Sequence, residues 1–290
     1  MTTYRAATES DRPGIEQYLE ARLHLAMFPR SNLARHGMTG DHPHATRFWV
    51  SRLGADVCGL VARANNGIVM PVQAPGDDAA AATALRHLRV TGVVGPKSLS
   101  RGLIAASGML NSSTTVDQDL PHYHLHLSAI IVPPGVGQLV PVATAPRDTV
   151  RGWFVAFQAE TLGDNPDTAR ARGHDAYALS CADKSAVVLM DGDTPLAMTG
   201  VNAQLPQIVQ VGGVYCPPGQ RNRGHARRAL ALHLVRLRDQ GVQEAVLFSA
   251  NPAASRAYES LGFRCIGDWT VVMFKGTVTI NGKLDPPPGP

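Results

Sequence analysis

The sequence predicts a mixed α/β protein built as two halves, each a twisted mixed sheet flanked by helices. Three observations predict it. An apolar segment, Ile208 to Cys216, runs into a short loop rich in arginine and glycine and then into a helical stretch, Ala226 to Gln240. Strand-like and helix-like segments alternate in a matching order in the first half. Between the halves lies Pro133-Pro134-Gly135, the best local linker signal of the chain. With 290 residues the chain is long enough for two modest domains. The expected division is 1–135, 136–277 and a tail at 278–290 that reads as disordered from its proline and glycine content.

Taken in order, Tyr4 to Thr8 is strand-like and precedes Asp11 and a helical pattern through Ile15, Tyr18 and Leu19. Leu139 to Thr144 similarly precedes Asp148 and a pattern through Val150, Trp153, Phe154 and Phe157. Asp11 and Asp148 both suit helix N-caps. Val57 to Val72 reads as two strands around Asn65-Asn66-Gly67, and Ala186 to Val201 as two strands around Asp191-Gly192-Asp193. Both turns favour hairpins. Asp77 to Arg89 is helical and Val90 to Val94 a strand. They parallel the helix Ala226 to Gln240, ended by Gly241, and the strand Glu244 to Ser249. Asn251, ahead of Pro252, then caps a further helix.

The loop Arg221-Asn222-Arg223-Gly224-His225-Ala226 carries the chemistry. The first N–H groups of a helix have no intrahelical partner, and the helix dipole is positive there. A strand, a tight loop and a helix start therefore make an anion site suited to a pyrophosphate. Gly224 lets the main chain approach phosphates, and small Ala226 lets the helix pack closely on its strand. The loop is neither G-x-x-x-x-G-K-[ST] nor G-x-G-x-x-G.

The spacing R-x-x-G-x-A resembles the coenzyme A loop of GNAT-type N-acetyltransferases. Residues Asn251 to Phe263 resemble the second signature of that family, N-x-x-S-x-x-x-Y-x-x-x-G-F, in the family's order. Val214-Tyr215-Cys216-Pro217-Pro218 is similar to the V-Y-T-P-P that opens the loop in one bacterial branch. The resemblance covers about residues 150 to 275 well and the first half weakly. It implies an acyl-CoA-dependent N-acyltransferase with acetyl-CoA as co-substrate, transferring the acetyl group by direct attack in a ternary complex. It makes Tyr258 the acid that protonates the leaving thiolate. Cofactor contacts would come from Val214, Tyr215 and Cys216 along the strand, from Arg221, Asn222, Arg223, Gly224, His225 and Ala226 in the loop, and from Asn251 and Ser255. Asn251 serves equally well as a cap, and Ser255 as a partner of its own helix backbone. Many relatives carry a glutamate on the strand before the loop. This segment offers only Gln204, Gln207 and Gln210, so Glu160 is the carboxylate nominated as general base, ahead of Asp167 and His174. The alternative is a non-catalytic acyl-CoA-binding sensor that keeps the loop and lacks a base.

The first half lacks this chemistry. Its loop position holds Gln73 to Asp78, whose two carboxylates repel a pyrophosphate, and Leu103 or Ile104 stands near the tyrosine position. A degenerate GNAT-like half is therefore expected there. The net charge of +4 is mild and spread along the chain, so no nucleic-acid partner is expected. The acceptor is a small-molecule or protein amine, and the chain a monomer or homodimer. The cysteines, Cys58, Cys181, Cys216 and Cys265, form no C-x-x-C pair; two or three read as strand-buried, as in a reducing cytoplasm. No signal segment or bilayer-length apolar run occurs, so a cytoplasmic protein without membrane contact is expected. His122, His124 and His126 alternate on a strand-like run and share one face. With no cysteine or carboxylate cluster beside them in sequence they read as a solvent or domain-interface face, and no metal is expected.

Overall fold

The computed structural model describes residues 2–163 and 165–280. The chain forms two compact units: residues up to Leu120 together with those from Gly267 on, and Pro121–Ile266.

The first unit contains β1 (Arg5–Ala6), α1 (Arg12–Glu20), α2 (Leu23–His36), β2 (Thr46–Leu53), β3 (Asp56–Ala64), β4 (Ile68–Val72), α3 (Asp78–Ala84), β5 (Arg89–Pro96), α4 (Lys97–Ala106) and the first part of β6 (Thr114–His126). The second contains the rest of β6, β7 (Gln138–Pro141), α5 (Arg147–Leu162), α6 (Pro166–Asp183), β8 (Ala186–Asp191), β9 (Thr194–Gln204), β10 (Ile208–Tyr215), α7 (His225–Asp239), β11 (Glu244–Phe248) and α8 (Pro252–Glu259). The long β12 (Arg264–Thr279) follows, and from Gly267 it belongs to the first unit. Strand, two helices, three strands, helix, strand, helix, strand is thus the order in both passes of the chain. That is the repeat the sequence predicts, displaced in one detail. By position in this order the hairpin β8–β9 corresponds to β2–β3, whereas the turn chemistry paired it with β3–β4.

In the first unit the strand order is β1-β2-β3-β4-β5-β12-β6. Period-two alternation divides its side chains between two faces. Phe48, Val50, Leu60, Ala62, Met70 and Val72 pack with Ile15, Leu19 and Leu33 of α1 and α2. Val61, Val69, Val93, Val272 and Phe274 pack with Ala81, Leu103 and Ile104 of α3 and α4. In the second unit the order is β6-β11-β10-β9-β8-β7. Tyr123, Leu125, Val209, Val211, Ala245 and Leu247 cover one face together with Leu230 and Leu234 of α7 and Tyr258 of α8. Val188, Met198 and Tyr215 meet Val150, Trp153 and Phe154 of α5 and Tyr177 of α6 on another. Among the described residues no helix is long and apolar enough to cross a membrane.

Several expectations change. The compact units divide at 120/121 and 266/267 rather than at 135/136, because β12 pairs with β5, Trp269 opposite Pro96 and Val272 opposite Val93. The tail does not start at 278: Val278 and Thr279 pair with Val90 and Arg89, and Ile280 is buried. Residues 281–290 of that expectation lie outside the described residues. Asp11 is not a side-chain cap of α1. It is buried, accepts from the Thr8 amide at 2.9 Å, and is clamped by Arg5 and Arg52. Asp148 lies inside the first turn of α5, exposed and paired with Arg151. The helix expected from Asp77 to Arg89 stops at Ala84, and β5 begins at Arg89. No cysteine is fully buried; Cys58 and Cys265 are exposed.

Candidate active site

The site is built where β10 parts from β11. These parallel strands pair only over three positions, Ile208 with Glu244, Val209 with Ala245 and Gln210 with Val246. Beyond Gln210 no pairing continues, and the pairing of β10 with β9 slips after Gln210 and again between Gly212 and Tyr215. Such bulges bend a strand and free its edge groups. A polar chain can therefore lie between the diverging strands and satisfy main-chain groups of Val211 to Tyr215.

The far end of β10 leads through Pro217 and Pro218 into the arginine loop. Asn222 and Gly224 both have left-handed backbone, φ 63° and 80°, which turns the loop sharply into α7. A Cβ on Gly224 would meet only Arg227 Nη2, at 3.5 Å, so the space before the helix is open. Nothing caps α7 from a side chain. Among the described residues the amides of Arg223, Gly224, His225 and Arg227 make no hydrogen bond, while Ala226 N–H is directed to the Cys216 sulfur. Free donors at a helix N-terminus are the physical content of an anion site. Arg221 and Arg223 are exposed beside them.

The arginines divide their work. Arg221 donates to the Cys216 carbonyl at 3.0 Å and pairs with Glu160 Oε2 at 2.5 Å. Glu160 Oε1 accepts from the Tyr215 hydroxyl at 3.0 Å. Burial, then the Glu160 carboxylate, push the Tyr215 phenol up to about 12. Glu160, the nominated base, thus stands at the mouth of the loop with both oxygens engaged. Arg227 reaches Ser260 at 3.2 Å, and Arg228 donates to the carbonyls of Val136 and Pro133 at 2.9 and 2.7 Å. Arg228 therefore fixes the segment read as a linker rather than facing solvent.

On α8, Asn251 accepts from the Ala254 amide at 2.9 Å, the capping half of the two roles expected for it. Ser255 does not bond its own helix; its hydroxyl meets Ser249 Oγ at 2.8 Å. Tyr258 is buried in its ring, against Tyr123 and Phe263 with centroids 6.4 and 6.1 Å away. Its hydroxyl makes no hydrogen bond among the described residues and is not one of the sealed polar atoms, so it keeps solvent access. Burial alone raises its pKa to about 12, which keeps the phenol protonated at neutral pH. Val214 is half-buried against the α7–α8 core, and Cys216 is half-buried with its thiol directed to the Leu196 carbonyl at 3.5 Å. Burial raises the Cys216 thiol above its ordinary value, with Arg221 opposing, so the sulfur stays a thiol.

Two features have no local signature in the sequence. Gln210 is buried at the last paired position of β10; its Nε2 donates to the Val211 carbonyl at 2.6 Å and its Oε1 has no partner. Ser249 couples the end of β11 to α8 through Ser255. Asp167 and His174 are exposed on α6.

The corresponding place in the first unit is built differently. Asp77 accepts from the Tyr4 hydroxyl at 3.0 Å and Asp78 from Gln73 Nε2 at 2.9 Å. A Cβ on Gly102 would meet the Asp78 carboxylate at 2.5 Å, so α4 closes against the start of α3. Leu103 and Ile104 are buried in the core.

A family model described as "Acetyltransferase (GNAT) family" matches residues 150–263. No curated protein matches the chain. Among solved structures, a GCN5-related N-acetyltransferase from Sphaerobacter thermophilus superposes with a TM-score of 0.58 at 15% identity, over 98% of this chain and 97% of that one. A GCN5-related N-acetyltransferase from Kribbella flavida gives 0.51 at 15%, over 93% and 97%. A tandem GNAT protein from the clavulanic acid biosynthesis pathway gives 0.50 at 16%, over 98% and 100%. At such identities the likeness is one of fold, and it extends over both passes of the chain.

Proposed function

Residues 150–263 belong to the GNAT acetyltransferase family, and from that premise we propose that the protein transfers an acetyl group from acetyl-CoA to an amine in a ternary complex. The observation that carries this reading is the row of unpaired amides at the start of α7, beside the strand edge freed at Gln210. Proteins of the family use acetyl-CoA as co-substrate. The free amides of Arg223, Gly224, His225 and Arg227 and the Arg221 side chain suit its pyrophosphate. The edge of β10 from Val211 to Cys216 suits the pantetheine amides.

The amine nitrogen attacks the thioester carbonyl carbon, the C–N bond forms, the C–S bond breaks, and the nitrogen loses a proton. Tyr258 supplies the O–H that meets the developing charge on sulfur. Glu160 accepts the amine proton after Arg221 turns from it to the phosphates, which frees Oε2. In this order co-substrate binding arms the base. An acyl-cysteine route finds no support, since Cys216 is held as a thiol.

The test is Gly224→Glu. It places bulk and negative charge where the pyrophosphate sits, and its left-handed backbone costs about 1–2 kcal/mol. The variant is expected to fold and to lose CoA binding in calorimetry. A folded variant with unchanged affinity removes the assignment. A non-catalytic sensor would bind acetyl-CoA and turn over no amine in a broad acceptor panel.

A further inference from the structure

A second constellation lies in the same unit, on the β6–β11 ladder. His124 and His126 share one face of β6, and the register places Glu244 of β11 directly opposite His126. The other face of this ladder is apolar, with Tyr123, Leu125, Ala245 and Leu247 in the core. His124 Nε2 and Glu244 Oε2 are 2.7 Å apart. The His124 and His126 rings meet edge-on at 4.7 Å between centroids. One donor atom from each of the three residues lies within 4.8 Å of the others.

We propose that His124, His126 and Glu244 bind a divalent transition-metal ion, zinc(II) being the class that fits. Metal–ligand distances near 2.0–2.1 Å set neighbouring donors of a tetrahedral site about 3.3 Å apart. Rotation of the exposed His126 ring from its edge-on contact with His124 closes the widest gap, and the 2.7 Å pair opens slightly. Two imidazoles and one carboxylate favour zinc over magnesium or calcium, which take oxygen ligands. His126 also borders a shallow cleft of about 350 Å³ lined by Ser128, Arg238, Gly241, Val242 and Gln243, a route of entry for the ion. The one cation there, Arg238, is paired with Asp239 at 3.1 Å. His122 takes no part, being buried against the Phe248 ring. The carboxylate absent from the sequence neighbourhood of the histidines thus arrives from the neighbouring strand. Bound there, the ion ties β6 to β11, the strand that leads to Ser249 and the catalytic helix.

The experiment is calorimetric titration of untagged, chelator-treated full-length protein with zinc chloride at neutral pH, followed by cobalt(II) absorption spectra. One equivalent of zinc with micromolar or tighter affinity is expected, and an intense visible cobalt band. His126→Ala, an exposed change expected to fold, abolishes both, and Glu244→Gln weakens zinc affinity at least tenfold. A stacked cluster elsewhere, His36, His42 and His44, is the competing source of binding. His42→Ala with His44→Ala is expected to leave the stoichiometry unchanged. The proposal is overturned by the absence of saturable binding, by binding that survives in His126→Ala, or by binding lost in the His42 and His44 double variant. These readouts do not depend on acetyl transfer.

Discussion

At the scale of single residues, the Tyr258 hydroxyl has solvent access and no partner among the described residues, while its ring is packed in the core. Tyr258→Phe keeps that packing and removes the donor. It is expected to lower kcat by about 10²- to 10⁴-fold with CoA affinity unchanged. Wild-type kcat under rate-limiting chemistry would make Tyr258 a packing residue. Glu160→Gln separates the two duties of that carboxylate. If it acts as the base, the variant should lose most of kcat with CoA affinity retained. If Glu160 only anchors Arg221, the variant will change CoA affinity and leave kcat intact. The Asn251 cap, and the places of the arginine loop before α7 and of Tyr258 on α8, were legible because the residues that mark them lie within short spacings of one another. The partners of Glu160 were not. Arg221 is 61 residues away in sequence and Tyr215 is 55, and no local pattern joins them. Glu244 escaped for the same reason, 120 residues from His124.

At the scale of elements, α7 presents the proposed anion site at one end and a buried histidine further along. His233 is buried among apolar side chains, and burial, with Arg236 adding, depresses its imidazole from 6.5 to about 4. The folded state therefore keeps the neutral ring, while the unfolded chain takes up a proton below about 6.5. The stability this ring contributes is full above pH 6.5 and is lost as pH falls toward 4. His233→Gln should flatten this loss, which amounts to at most about 3 kcal/mol over that window. Urea denaturation at pH 7 and pH 5 tests it; equal losses in wild type and variant would contradict the assignment. Periodicity located α7, β10 and β11 to within about a residue, and the Asn251-Pro252 pair marked the start of α8. It misjudged α3, because alanines from Ala79 onward read as helix regardless of where the chain must turn into β5. It also shifted the hairpin correspondence, since turn residues identify a hairpin without saying which strands of a sheet it joins.

At the scale of the whole molecule, two passes of one element order carry one candidate site. The first unit has used its loop carboxylates internally, Asp77 with Tyr4 and Asp78 with Gln73. One CoA per chain is therefore expected, and calorimetry giving two would refute it. The division of the chain was the least legible property. Pro133-Pro134-Gly135 looks like a boundary, yet Arg228 binds that segment to α7, and the structural division depends on which strand β12 pairs with. Ending the chain at Ile266 removes Val272, Phe274 and Ile280 from the first core. Calorimetric unfolding of that truncation should lose a large share of its enthalpy; an unchanged endotherm would show β12 to be dispensable.

The place of β12 also bears on how the protein is made. On the ribosome, β5 has no partner on one side until the last strand emerges, although everything else in its unit was synthesised long before. Roughly 150 residues intervene, which at about 5–20 residues per second is a delay on the order of 7 to 30 s. Throughout that interval the nascent chain exposes an apolar strand edge containing Val90, Val93 and Val94, a template for pairing with a neighbouring chain. Slow translation between β6 and β12, or loss of β12, would therefore harm the unit that contains β5 more than the other.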